Sequence, residues 1–180
     1  FSTENWNRPS EEVQGLLTIL QEAIDDETRS LHKRGVRILH LGRTDRLPPQ
    51  LRESVIYAQE LTKSNASITL SVAFDYGGRR EILDAVRQIL RDGISAEQLD
   101  ETLFNCYLYT VDLPDPDLII RTAGELRLSN FLLWQSAYSE YYPTPTLWPD
   151  LGHEDIAEAM ESFRHRQRRF GTLLPGESSI

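Results

Sequence analysis

The stretch Leu118-Ile119-Ile120-Arg121-Thr122-Ala123-Gly124-Glu125-Leu126-Arg127-Leu128-Ser129-Asn130-Phe131-Leu132-Leu133-Trp134-Gln135 decides how the rest of the chain is read. It opens as a short apolar run, the pattern of a buried parallel strand. It then becomes polar, and turns apolar again at Phe131. In open α/β sheets, ligands sit just beyond the carboxyl ends of strands. Arg121 and Arg127, with a glycine for close backbone approach and the Ser129 hydroxyl, form a candidate clamp for a phosphate or diphosphate. The competing reading is a strand end carrying solvated arginines.

Working outward, the same alternation recurs. Val36–Leu41 and Ile68–Phe74 read as two further strands, and Leu118–Arg121 is the third. Val13, Leu16, Leu17, Leu20 and Ile24 recur at helical spacing and predict a long amphipathic helix to about Lys33, ended by Gly35. A second helix is expected from Pro48-Pro49, with Leu51, Val55, Ala58 and Leu61 on one face. A third follows Tyr76-Gly77-Gly78-Arg79, and a short one is expected from Ser95, capped with Gln98. Asn105–Thr110 reads as a weak extended stretch, and Phe131–Trp134 with Ala137-Tyr138 reads as core. The last helix is expected over His153–Phe170, with Ile156, Ala159, Met160 and Phe163 buried. The fold class is therefore α/β: a single domain with a mainly parallel central sheet flanked by helices. Three strands are few for such a sheet, and the chain opens at Phe1 in a dense polar-aromatic motif. Both features lead to the expectation that an N-terminal strand and its loop are missing from these residues.

Composition narrows the partners. The chain has 180 residues, 26% charged and 39% hydrophobic, with a net charge of −9. That field repels nucleic acid, so any anion site is a local positive focus on an acidic body. The single cysteine, Cys106, excludes an internal disulfide and a cysteine-based metal site. No apolar run reaches the ~20 residues of a membrane span. A cytoplasmic protein is expected, attached at most peripherally to the membrane.

Several side chains carry two readings. Ser2, Asn5, Trp6 and Arg8 precede the first helix, where outward N–H groups favour anions; alternatively they only cap and pack. His40 alternates with apolar residues and is read as a satisfied neighbour within the sheet, with a ligand as the other reading. Arg79 follows a Gly-Gly turn and either meets phosphate or pairs with Asp75 or Glu81. Glu140 sits among aromatic residues, where a carboxylate must be paired, protonated or near a metal, unless it is simply solvated at a strand start.

Taken together, the blocks Phe1-Ser2-Thr3-Glu4-Asn5-Trp6-Asn7-Arg8-Pro9, Tyr76-Gly77-Gly78-Arg79, Asp115 through Gln135, and Ala137-Tyr138-Ser139-Glu140 through Asp150 resemble the isoprenyl transferases of the cis-prenyltransferase family. Arg168-Arg169-Phe170-Gly171 adds to the likeness, which is strongest to bacterial undecaprenyl diphosphate synthases. The resemblance implies condensation of isopentenyl diphosphate onto an allylic, farnesyl-type diphosphate with Z stereochemistry, Mg²⁺ as cofactor, a homodimer, and a long lipid product delivered to the membrane. It implies that Arg121, Arg127 and Ser129 hold the isopentenyl diphosphate. Ser2, Asn5, Trp6 and Arg8 belong to a closing loop that assists the condensation, with Ser2 and Asn5 as its catalytic members. Phe1 lines the apolar pocket, Glu140 helps place Mg²⁺, and Val13, Leu16, Leu17 and Leu20 form part of a hydrocarbon tunnel.

Three departures stand out. The family's Asp-Gly-Asn-Gly-Arg segment, with its metal-binding Asp, is absent from these residues, as are a downstream Arg and His. The polypeptide as written is accordingly expected to be inactive alone. Ala123 stands where many relatives have Gly, a change tolerated if φ is negative. Asp75 stands where many have Asn, which weakens the case for a direct diphosphate contact there. A non-catalytic accessory subunit is the alternative from a different class; the intact Asn5-Trp6 and Arg8-Pro9 block argues against it.

Overall fold

The structure, a computed structural model, describes residues 1–166. The chain divides into two compact units, Phe1–Asp112 and Leu113–Ile180. In the first unit helices alternate with strands, in the second two strands precede a helix, and among the described residues every strand pairing is parallel, which is the α/β class expected.

The first unit begins with a short 3₁₀ turn, Thr3–Asn7, followed by α1 (Ser10–Lys33), β1 (Val36–Leu41), α2 (Pro49–Thr62), β2 (Ile68–Ala73), α3 (Gly78–Arg91) and α4 (Glu101–Asn105). The two strands pair in register from Val36 opposite Ile68 to Leu41 opposite Ala73, with α2 as the crossover. The helical spacing in α1 buries Val13 and Leu17 against Leu47, Leu51, Val55 and Phe74, with Leu20 and Ile24 at the margin. Gly35 stops the helix in a left-handed turn (φ 75°), where a side chain would collide with Ser67. Side chains of α2 complete β1: Thr62 Oγ1 accepts the Ile38 N–H at 2.9 Å, and Gln59 Oε1 accepts that of His40 at 3.0 Å. Strand donors not used by β2 are thereby satisfied without another strand.

Two sequence expectations fail here. The helix expected from Ser95 is only a turn closed by Ser95 N–H on Gln98 Oε1 (3.0 Å), and the real helix begins later, where Asp100 accepts from Leu103 N–H at 2.8 Å. Asn105–Thr110 is a run of turns rather than an extended stretch. The amides of Cys106, Tyr107 and Leu108 bond back three residues, and Phe104 and Leu108 bury themselves.

The second unit holds β3 (Leu118–Arg121), β4 (Glu140–Pro143) and α5 (His153–Arg164). Its strands pair from Leu118 opposite Glu140 to Arg121 opposite Pro143. The segment between them was expected to supply core, yet Phe131 and Tyr138 are exposed while Gln135 and Ser136 are buried. The cause is local backbone geometry: Ser129, Asn130 and Leu132 all adopt positive φ, which breaks any helical or strand periodicity. In α5, Ala159 is buried, whereas Ile156 and Met160 of the expected stripe are exposed. The expected extension to Phe170, with Arg168 and Arg169, lies outside the described residues.

Candidate functional site

The N-terminal block is folded onto the end of β2. Tyr76 N–H donates to Phe1 O (3.3 Å), and Thr3 N–H donates to Tyr76 O (2.9 Å). Asn5 Oδ1 accepts the Ser2 N–H at 2.6 Å, so the capping reading of this pair holds. That bond uses the Asn5 carbonyl and leaves its NH₂ available as a donor. Arg8 is paired with Glu12 one turn on. Phe1 stacks on Phe74 with ring centroids 4.6 Å apart and meets Trp6 in a T-shaped contact with centroids 5.3 Å apart.

Trp6 is also held by residues that sequence reasoning did not assign to it. Its indole N–H donates to Asp75 Oδ1 at 2.8 Å. Arg46 forks onto the same carboxylate, with Nε 2.9 Å from Oδ2 and Nη2 bonded to Oδ1. The guanidinium carbon lies 5.0 Å from the Trp6 ring centroid. The partner of Asp75 is therefore Arg46, not the Arg79 considered from sequence. The Asp75 side chain is 0% exposed, which removes it as a diphosphate contact. The one signal in the sequence was Asp75 itself, a charged residue at a strand end; nothing pointed to Arg46.

Beside this block lie two cavities that share walls. The first, about 380 Å³, is lined by Phe1, Asn5, Arg8, Leu16, Leu20, Ala23 and Phe74. The second, about 290 Å³, also uses Leu20, Ala23 and Phe74, and runs between α1, α2 and the sheet past Ile24, Val55 and Val72. Of the expected tunnel wall, Leu16 and Leu20 line these cavities, while Val13 and Leu17 belong to the packed core. His40 lines the second cavity and bonds through Nε2 to Phe74 O at 2.9 Å. It is a satisfied sheet residue, as expected. Burial disfavours its charged form and lowers its pKa, against the opposing pull of the Phe74 carbonyl and Asp75.

The second unit carries the arginine segment. β3 ends at Arg121, and the backbone then passes through Ala123 (φ 61°) and Gly124 (φ 67°). This left-handed pair sends Ala123 N–H to Thr146 O (2.9 Å) and Gly124 N–H to Thr144 O (2.8 Å), pinning the loop to the chain after β4. The condition under which Ala123 would be an easy replacement for Gly, a negative φ, is not met. Arg121 Nε is buried and has no hydrogen-bond partner among the described residues. A desolvated guanidinium N–H without an acceptor is costly unless an anion completes it. Arg127 and Ser129 are exposed on the same loop, Arg127 in an ion pair with Glu125.

Glu140 opens β4, opposite Leu118 in the sheet, and pairs with Arg166 at 2.7 Å. Its carboxylate is therefore compensated rather than simply solvated. Among the described residues no three His, Cys, Asp or Glu side chains converge as a metal site. A divalent cation bound together with a diphosphate takes one or two protein carboxylates, and the Glu140 carboxylate would serve as one if Arg166 released it. No helix among the described residues is long and apolar enough to cross a membrane.

These features coincide with relationships across nearly the whole chain. The family model described as "Putative undecaprenyl diphosphate synthase" matches residues 1–171. The isoprenyl transferase of Thermotoga maritima is 52% identical over 179 residues, covering 98% of this chain and 76% of that protein. The ditrans,polycis-undecaprenyl-diphosphate synthase of Escherichia coli, (2E,6E)-farnesyl-diphosphate specific, is 42% identical over 99% of this chain and 72% of its own length. Among solved structures, lavandulyl diphosphate synthase from Lavandula x intermedia in complex with dimethylallyl diphosphate superposes with a TM-score of 0.90 at 36% identity, covering 95% of this chain and 76% of that one.

Proposed function

The chain belongs to the cis-prenyltransferase family of undecaprenyl diphosphate synthases, and on that premise we propose that it extends an allylic, farnesyl-type diphosphate with isopentenyl diphosphate, forming Z double bonds. The observation that carries the reading is the buried, unpartnered Arg121 Nε at the carboxyl end of β3. With the exposed Arg127 fork and the Ser129 hydroxyl on one loop, it offers donors matched to the oxygens of the isopentenyl diphosphate headgroup. Glu125 holds Arg127 until an anion of higher charge displaces it.

The allylic C–O bond breaks, the C4 carbon of isopentenyl diphosphate bonds to the allylic carbon, and a proton is lost. Leaving-group charge is stabilised by fixed donors. Ser2 and Asn5 supply such donors through the Ser2 hydroxyl and the Asn5 NH₂, the latter oriented by the Ser2 N–H that bonds to Asn5 Oδ1. Trp6 and Arg8 belong to the same closing segment. When bound, Mg²⁺ would neutralise diphosphate charge as a Lewis acid, with Glu140 as one of its carboxylates. The hydrocarbon is taken by the apolar cavity, which shares the wall of Leu20, Ala23 and Phe74 with the cavity that Phe1, Asn5 and Arg8 also line. A homodimer is proposed from the family, to be checked by sedimentation.

Calorimetric titration of the 180-residue polypeptide with isopentenyl diphosphate tests the headgroup assignment. Each charge-assisted bond is worth roughly 1.5–3 kcal/mol, so Arg121→Ala and Arg127→Ala should each weaken binding about tenfold or more. Unchanged affinity in both variants would refute it.

A further inference from the structure

We infer that Asp75 and Arg46 form a charged latch that positions Trp6, and with it the Ser2–Arg8 segment, making both of them positioning residues rather than diphosphate ligands. The inference rests on the reading of Ser2–Arg8 as part of the transferase machinery.

Asp75 has φ 50°, a conformation that few non-glycine residues adopt and that Asp tolerates better than most. The turn carries its carboxylate inward, where no water reaches it. A buried carboxylate persists only if its oxygens are filled and its charge is met. Both conditions are fulfilled by two groups. Oδ2 accepts Arg46 Nε at 2.9 Å; Oδ1 accepts Arg46 Nη2 and, at 2.8 Å, the Trp6 indole N–H. The same guanidinium covers the Trp6 face with its carbon 5.0 Å from the centroid, adding cation–π attraction. Phe1 meets the ring in a T-shaped contact. Trp6 is thus held at its N–H, by the guanidinium and by the Phe1 ring, and two of these three constraints depend on one ion pair.

The arrangement explains why Asp at this position is compatible with the site. An Asn side chain would keep an acceptor for Trp6 but would lose the charge that orients Arg46. Without the oriented guanidinium, the ring face and the N–H are no longer held together. The segment bearing Ser2 and Asn5 then depends on its own short 3₁₀ turn and on the backbone contacts with Tyr76.

The test is hydrogen exchange by ¹⁵N NMR on the full 180-residue chain, using the Trp6 indole N–H, assigned with Trp6→Phe, and the Asn5 and Arg8 amides. Asp75→Asn, Arg46→Lys and Arg46→Gln are compared with the unmodified chain. Arg46→Lys keeps the charge and Arg46→Gln keeps a polar side chain, so the test survives if Asp75→Asn fails to fold. The latch predicts that the indole N–H exchanges at least about tenfold faster in each folded variant, the loss of roughly one hydrogen bond, and that Asn5 and Arg8 follow. A purely structural role at the end of β2 would instead accelerate the Phe74 amide, which donates to Leu41 O, and leave Trp6 protected. That result, or unchanged indole exchange in both Arg46 variants, overturns the latch. Isopentenyl diphosphate titration of the same samples separates the two ideas: absence of binding by the unmodified chain counts against the functional reading, whereas the Trp6 exchange rates judge the latch by themselves.

Discussion

Ala123 shows how far a single residue's conformation can depart from what its type suggests. A left-handed alanine costs about 1–2 kcal/mol, and it persists because two backbone bonds to Thr144 and Thr146 over-determine the loop. Replacing it with glycine removes the strain but adds unfolded-state entropy. Ala123→Gly is therefore expected to stabilise by roughly 0.5–1 kcal/mol, read from urea unfolding. His40 gives a second residue-level prediction. Its folded pKa lies below its ordinary value because burial penalises the imidazolium, so between the two pKa values the unfolded chain binds more protons. Its contribution to stability is present above about pH 6.5 and is lost as pH falls through the folded value. Thermal unfolding of the wild type should decline over that window, and the decline should be shallower in His40→Gln. The residue types at the site were legible in the sequence, Arg121 and Asn5 among them. The partner of Asp75 was not, because Arg46 comes from a loop with no periodic or motif signal and meets Asp75 only through tertiary packing.

At the scale of elements, the strands were the most legible part. Val36–Leu41 and Leu118–Arg121 form over the spans read from their apolar runs, and β2 stops one residue short of Phe74. Glycine marked the end of α1 because φ 75° there admits little else. What hydrophobic pattern could not foresee is the stretch after Arg121, where consecutive positive-φ residues turn apolar side chains outward. The short α4 was misplaced because Ser95 and Asp100 both look like caps, and only Asp100 is followed by a buried Phe104 that anchors a helix. The joint between α2 and β1 is testable. Thr62 Oγ1 both donates to Ala58 O and accepts from Ile38 N–H, and the residue is fully buried. Thr62→Val keeps the shape but strands the Ile38 donor, so a loss of about 1–3 kcal/mol in chemical denaturation is expected.

At the scale of the whole molecule, the function is distributed along the sequence. The first unit contributes an apolar cavity adjoining one that Asn5 and Arg8 line; the second contributes an arginine loop with an incompletely satisfied guanidinium. The acidic body, with a net charge of −9, confines anion attraction to such local foci. The family resemblance was readable from the blocks alone. The orphaned Arg121 Nε was not, since burial without a partner is a property of packing. The central claim is that this group receives a phosphate oxygen. A crystal structure of the chain with isopentenyl diphosphate tests it most directly. The account predicts a diphosphate oxygen about 2.7–2.9 Å from Arg121 Nε, with Arg127 turned from Glu125 toward the same headgroup. A diphosphate bound elsewhere, with Arg121 Nε still unpartnered, would contradict it.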